Sequence, residues 1–152
     1  MSAPGTPSFP AARRHISAAS CVLAARGLGA LALLSVGAVH LHEYFKFYSE
    51  VPTIGTLFVL NFVGATVVGL ALLAPVQRIA GFAVALLALA GIAHAATSFV
   101  FLWIAERTPL FGFQEPGYDP TGIAASRGAE IATVALLGAF LALWTRQHRR
   151  SI

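Results

Sequence analysis

Four long apolar stretches constrain this chain more than any other feature. They run over about 20–42, 54–73, 78–104 and 123–144. A helix needs about 20 predominantly apolar residues to cross a bilayer, because the hydrocarbon is ~30 Å thick and each residue rises ~1.5 Å. Each stretch is about that long or longer. In lipid the backbone amides must bond within their own segment, so such stretches form helices rather than open strands. Only 11% of residues are charged, under half the roughly 25% usual in a soluble domain. The implied fold class is all-α: a single-domain four-transmembrane-helix bundle.

Punctuation residues support the boundaries. Pro52 precedes the second stretch and Pro75 follows it, positions compatible with helix ends. Asp119-Pro120 reads as an N-cap followed by proline at the first helical position, so the fourth helix can begin ahead of its apolar run. Residues 1–15 hold three prolines and then Arg13, Arg14 and His15. They read as a disordered basic tail, residues 16–146 as the transmembrane domain, and 147–152 as a basic C-terminal tail.

Charge orients the bundle. With four passes, Arg13, Arg14, Arg26, Arg78, Arg146, Arg149 and Arg150 share one side, and Lys46, Arg107 and Arg127 the other. Seven of ten basic residues on one side make it cytoplasmic. The expectation is a multi-pass protein of the cell (inner) membrane with both termini cytoplasmic. All six acidic residues (Glu43, Glu50, Glu106, Glu115, Asp119, Glu130) fall on the opposite side. A competing reading takes 13–38 as a signal peptide cleaved after Val36-Gly37-Ala38, which leaves three helices and His40 near a new N-terminus.

Several classes are excluded or unsupported. The basic residues are split between the chain ends with no basic face between them, which argues against nucleic acid as a partner. The single cysteine, Cys21, rules out an internal disulfide and a multi-cysteine metal site. There is no dinucleotide fingerprint, nucleophile elbow or His-Glu-x-x-His, and no nucleophile–base pair in a recognisable sequence arrangement.

Membrane helices associate through small residues and polar contacts. Asn61, Ala65 and Gly69 form one stripe at four-residue spacing; Gly81/Ala85, Gly91/Ala95 and Gly128/Ala132 are further pairs. They suit packing within the chain or self-association.

Polar groups at membrane depth are costly and usually face a partner or a cavity. His40, Glu43, Tyr44 and Phe47 share a face at the outer end of helix one, and His42 points elsewhere. Asn61 lies two turns into helix two. His94 sits in the outer half of helix three among Ala90, Gly91, Thr97 and Ser98. Glu130 follows Arg127 by three residues, a spacing that permits an ion pair. Imidazole and carboxylate suit a transition metal, which makes His40, Glu43, His94 and Glu130 a candidate metal set. His40 and His94 are candidate cofactor ligands, although their different depths argue against one shared haem iron. The same groups could relay protons or hold a polar or quinone headgroup. Two outer loops, 43–53 and 105–122, are rich in aromatics, and the second is long enough to carry function.

The run from His40 to Asn61 resembles a pattern in uncharacterised small membrane proteins of actinobacteria. There the first helix ends in His-Leu with aromatics, before a Pro-x-Ile-Gly-x-Leu-Phe-x-Leu-Asn entry into the second. Here those positions are His40-Leu41, Pro52, Ile54-Gly55, Leu57-Phe58 and Leu60-Asn61. The likeness extends loosely over all four helices and includes the Phe-Gly-Phe of the last loop. It implies an α-helical inner-membrane protein and carries no activity with it.

Three functions follow as expectations. The first is a non-enzymatic accessory protein or small subunit of a membrane complex, contacting lipid, other subunits or itself. The second is a metal- or haem-binding redox protein using His94 with His40, Glu43 or Glu130. The third is a small transporter or proton-coupled channel component.

Overall fold

The computed structural model describes residues 18–75 and 81–149. Helix α1 spans Ala18–Glu43 and runs directly into one wide π turn, Tyr44–Tyr48. Helix α2 spans Pro52–Leu73, α3 spans Gly81–Ala105 and α4 spans Pro120–Arg149. All four are long and apolar enough to cross a membrane. Among the described residues there is no strand, only an isolated bridge between Leu110 and Phe113. The tail to residue 15, Arg78 at the expected start of helix three, and residues 150–152 lie outside the described residues. The end with the π turn and the 106–119 loop is the loop end; the end with Ala18 and Arg149 is the terminal end.

Helix α1 is the hub. It packs along both α2 and α4, α3 packs mainly on α4, and the α2–α3 contact is thinner. Small residues set these approaches. A Cβ on Gly69 would come within 2.8 Å of Leu34, and one on Gly29 within 2.5 Å of Leu137, so both crossings depend on glycine. Of the expected stripe on α2, Ala65 and Gly69 are buried against α1. The Gly128/Ala132 pair makes no equivalent seam, because a Cβ on Gly128 would meet nothing within 4 Å. The core joins Leu33, Leu72, Leu137 and Phe140 through Ala30, Ala65 and Ala88. Lipid is as apolar as these side chains, so dispersion at close approach holds the core rather than escape from water.

Large apolar side chains cover the outside: Leu60, Val63 and Val67 on α2, Phe82, Leu86 and Leu89 on α3. In water, surface of this extent would be an aggregation hazard; against acyl chains it is solvated.

Two boundaries differ from expectation. Residues 43–48 of the first loop are helical, so only Ser49–Val51 join α1 to α2. Helix α4 continues through 147–149, which were expected in a tail; it starts at Pro120, ahead of its apolar run, as Asp119-Pro120 indicated. Asp119 explains the start: its Oδ1 accepts the Thr121 and Gly122 amides, each at 3.0 Å, as an N-cap should.

The 106–119 loop folds back over the bundle. Leu110 and Phe113 exchange both backbone hydrogen bonds, 2.7 and 3.0 Å, around Phe111 and Gly112 at φ 51° and 81°. That is the φ > 0 pair of a type I′ turn. The Glu115 amide donates to the Ala105 carbonyl at 2.8 Å, pinning the loop to the end of α3.

Candidate functional site

A cavity of about 660 Å³ occupies the loop-end half of the bundle. Every helix lines it, as do Leu110, Phe113 and Glu115 of the folded loop. Its exposed lining residues are Leu60 on α2 and Ala90, Ala93, Thr97 and Phe101 on α3. They put the mouth between α2 and α3, the consecutive helices that pack least.

The floor is a hydrogen-bonded chain across three helices. His40 is held by its Nδ1, which donates to the Val36 carbonyl at 2.8 Å. The carbonyl can only accept, so in a neutral ring Nε2 is an acceptor. The Ser98 hydroxyl lies 3.1 Å from that Nε2 and donates to it. Asn61 Nδ2 donates in turn to Ser98 Oγ at 2.9 Å. Asn61 Oδ1 is buried and has no partner.

His94 stands on the opposite wall. Its Nε2 donates to the backbone carbonyl of Asn61 at 3.2 Å, and the ring lies on Gly64, where a Cβ would come within 2.8 Å of Cε1. The absent side chain of Gly64 is what admits the imidazole.

The roof is acidic and aromatic. Glu43, 7% exposed, closes against the first turn of α4, where a Cβ on Gly122 would lie 2.5 Å from its Oε1. The positive end of that helix favours a carboxylate. The π turn inserts an extra residue, so Tyr48 rather than Phe47 follows Glu43 onto the cavity side. The Tyr48 hydroxyl donates to Glu115, whose other oxygen accepts the Gly117 and Tyr118 amides at 2.8 and 3.2 Å. Tyr48 also stacks on Phe58 with centroids 4.5 Å apart and meets Phe113 edge-on at 5.8 Å. At the rim Lys46 pairs with Asp119 at 2.5 Å. That hydrogen bond, with those from the Gly122 and Thr121 amides, holds the Asp119 carboxyl below its ordinary 3.8.

The polar residues read from sequence therefore divide. His40, Glu43, Asn61 and His94 line one cavity. Glu130 does not line it: it is 1% exposed, takes a 3.2 Å bond from Ser126, and its Oε2 has no partner. The expected Arg127–Glu130 pair is replaced. Arg127 bonds Glu106 at the end of α3, because its side chain reaches up toward the loop while Glu130 turns into the bundle. The four-residue metal set does not assemble either: among the described residues, no three His, Cys, Asp or Glu side chains converge. The ring nitrogens of His40 are engaged by Val36 and Ser98, Glu43 faces α4, and Glu130 is bonded to Ser126 of its own helix. The Nε2 atoms of His40 and His94, the candidate cofactor ligands, are each bonded within the protein, to Ser98 and to the Asn61 carbonyl.

Sequence reasoning did not name Ser98 as a site residue, reading it as part of the small, polar face around His94. It missed Tyr48 because a regular helix would have put Phe47 on this face. It missed Glu115, for which the only signal was an acid among loop aromatics. It also found no nucleophile–base pair, whereas the fold brings one hydroxyl and one imidazole, Ser98 and His40, into hydrogen-bond contact.

Compared with protein-family models, characterised proteins and solved structures, the chain matches none. The fold and site define its class: an all-α bundle of four membrane-length helices enclosing a polar-floored cavity near one end.

Proposed function

We propose that this is an integral membrane protein, both termini cytoplasmic, that takes a lipid-soluble molecule with a hydrogen-bonding head from the bilayer and holds it in the loop-end cavity. It acts as a non-enzymatic accessory or small subunit of a membrane complex. The observation that carries the reading is the cavity itself: an apolar chamber with a side mouth between α2 and α3 and one unspent acceptor, Asn61 Oδ1, at its floor. Ligand sites are typically of this size, mostly apolar, with a few placed polar groups. Asn61 Oδ1 calls for a donor, which suits a hydroxylated head such as a hydroquinone. The orientation is supported by the bias of arginines to the terminal end.

The test is thermal unfolding of the detergent-purified full chain with a hydroquinone carrying an isoprenoid tail, beside its O-methylated form. At ligand 100-fold above Kd, about 2.7 kcal/mol of stabilisation is expected, and less for the methylated compound and for Asn61→Leu. Equal or absent shifts would reject the reading.

One observation favours a second reading. Ser98 and His40 stand as hydroxyl nucleophile and oriented base do in acyl transfer, within the ~2.6–3.2 Å such pairs need. Oγ would attack an acyl carbon, its proton passing to Nε2 and then to the leaving group. Labelling by a fluorophosphonate, abolished in Ser98→Ala and sharply reduced in His40→Ala, would support it. An unlabelled wild type would dismiss it.

A further inference from the structure

Arg26 lies on α1 in the terminal-end half and is only 6% exposed, yet it has no hydrogen-bond or ion-pair partner among the described residues. No carboxylate side chain is near. The chain has six acidic residues, and the one nearest along the bundle axis is Glu130. Gly29 and Leu137 lie at one level; Arg26 is three residues below Gly29 and Glu130 seven above Leu137. At ~1.5 Å per residue the two charges are about 15 Å apart along the axis. Burying a guanidinium with no anion is among the costlier arrangements a protein can hold.

Arg26 lines a second cavity of about 440 Å³, separate from the first. Its walls include Val22, Val84, Phe140 and Trp144, with Gly81 and His148 at its edge. The His148 ring is fixed by an Nδ1 bond to the Trp144 carbonyl at 2.9 Å and by packing on the indole at 4.2 Å. Its Nε2 is turned toward Gly81, 3.9 Å from where a Cβ there would be. Leu23, a lining residue, is more than half exposed, so the apolar wall continues onto the lipid-facing surface.

We propose that this cavity binds the phosphate of an anionic phospholipid in the leaflet at the terminal end, with Arg26 as the donor. A guanidinium fork matches two phosphate oxygens. Apolar walls beside it suit glycerol and the first acyl methylenes, and Trp144 sits where an interfacial aromatic belongs. The buried cation and its missing anion then explain each other. A free phosphate shares the head chemistry but would leave the apolar walls unused.

The test uses the full chain carrying Trp103→Phe, which leaves Trp144 as the sole indole. It is reconstituted into vesicles containing acyl-brominated phosphatidylglycerol or acyl-brominated phosphatidylcholine, and quenching of Trp144 is read against mole fraction. Half-quenching is expected at about tenfold less phosphatidylglycerol, as for one charge-assisted pair. Arg26→Gln should erase the preference and Arg26→Lys should keep part of it, with helicity by circular dichroism matching the parent. Equal quenching by the two lipids in the parent would overturn the proposal. So would a preference that survives Arg26→Gln in folded protein, since Arg146 and Arg149 would then be its source. Relief of quenching by inorganic phosphate, but not by chloride at equal ionic strength, would assign the site to the free anion and overturn the lipid.

Discussion

The Ser98 hydroxyl lies 3.1 Å from Nε2 of His40 and joins α3 to α1, two helices that otherwise barely touch. Because Asn61 of α2 donates to the same oxygen, one serine ties three helices at the cavity floor. Ser98→Ala leaves His40 Nε2 and Asn61 Nδ2 without these partners. Polar contacts between membrane helices average about 0.6 kcal/mol and reach about 1.7, so a loss of about 1 kcal/mol is expected in reversible unfolding in mixed micelles. Ser98→Thr, which keeps the hydroxyl, should lose less. A Ser98→Ala protein as stable as wild type would show that the chain of bonds holds nothing together.

Gly64 and His94 make the second testable contact. In Gly64→Ala the new methyl meets the imidazole at 2.8 Å, and the ring must move off the Asn61 carbonyl. Overpacking of this kind costs about 1–3 kcal/mol. In a His94→Ala background the same change should cost almost nothing, because the clash is gone. A double-mutant cycle measures the difference, and additivity of the two changes would refute the contact.

Tyr48 should govern the roof. Tyr48→Phe removes the hydroxyl that holds Glu115, and Glu115 in turn holds the Gly117 and Tyr118 amides. A hydrogen bond to a charged group contributes about 1.5–3 kcal/mol, so exchange at those two amides should quicken by roughly tenfold or more. Hydrogen-exchange mass spectrometry on the 106–119 segment reads this directly. Unchanged protection would mean that the turn at Phe111 and Gly112 holds the loop unaided.

The Lys46–Asp119 pair predicts an acid dependence. The Asp119 carboxyl is held below 3.8 in the folded protein, first by the Lys46 hydrogen bond. A depressed carboxylate contributes stability that is fully present above the unfolded value and is lost as pH falls through the folded one. The Tm gap between wild type and Asp119→Asn should therefore be constant from neutral pH down to about 5 and shrink below about 4. Salt should narrow it too, since Lys46 is exposed. A gap that ignores both acid and salt would mean that the N-cap geometry alone, which asparagine can imitate, sets the value of this residue.

Much of the architecture was legible from residue order. Length and apolarity determined four membrane-length helices, because a bilayer-sized run of Leu, Ala, Val and Gly leaves the backbone no solution but a helix. Asp119-Pro120 announced the start of α4, and the Ala65–Gly69 stripe announced a close helix crossing, since both signals are local in sequence. His40, Glu43, Asn61 and His94 stood out because polar side chains in such runs are rare.

Which of them would meet was decided by tertiary structure. Arg127 is three residues from Glu130, a permitted ion-pair spacing, but the end of α3 brings Glu106 within reach, and the partly exposed partner prevails over the buried one. A single π turn rotates Tyr48 into the cavity, a shift that no 3.6-residue period could forecast. Ser98 became the centre of the floor only because α1, α2 and α3 present His40, Asn61 and Ser98 at one depth. Helix formation depends on neighbours along the chain, whereas the site depends on how far each helix slides and turns against the others. Here the close approaches at Gly29, Gly64 and Gly69 help set that register.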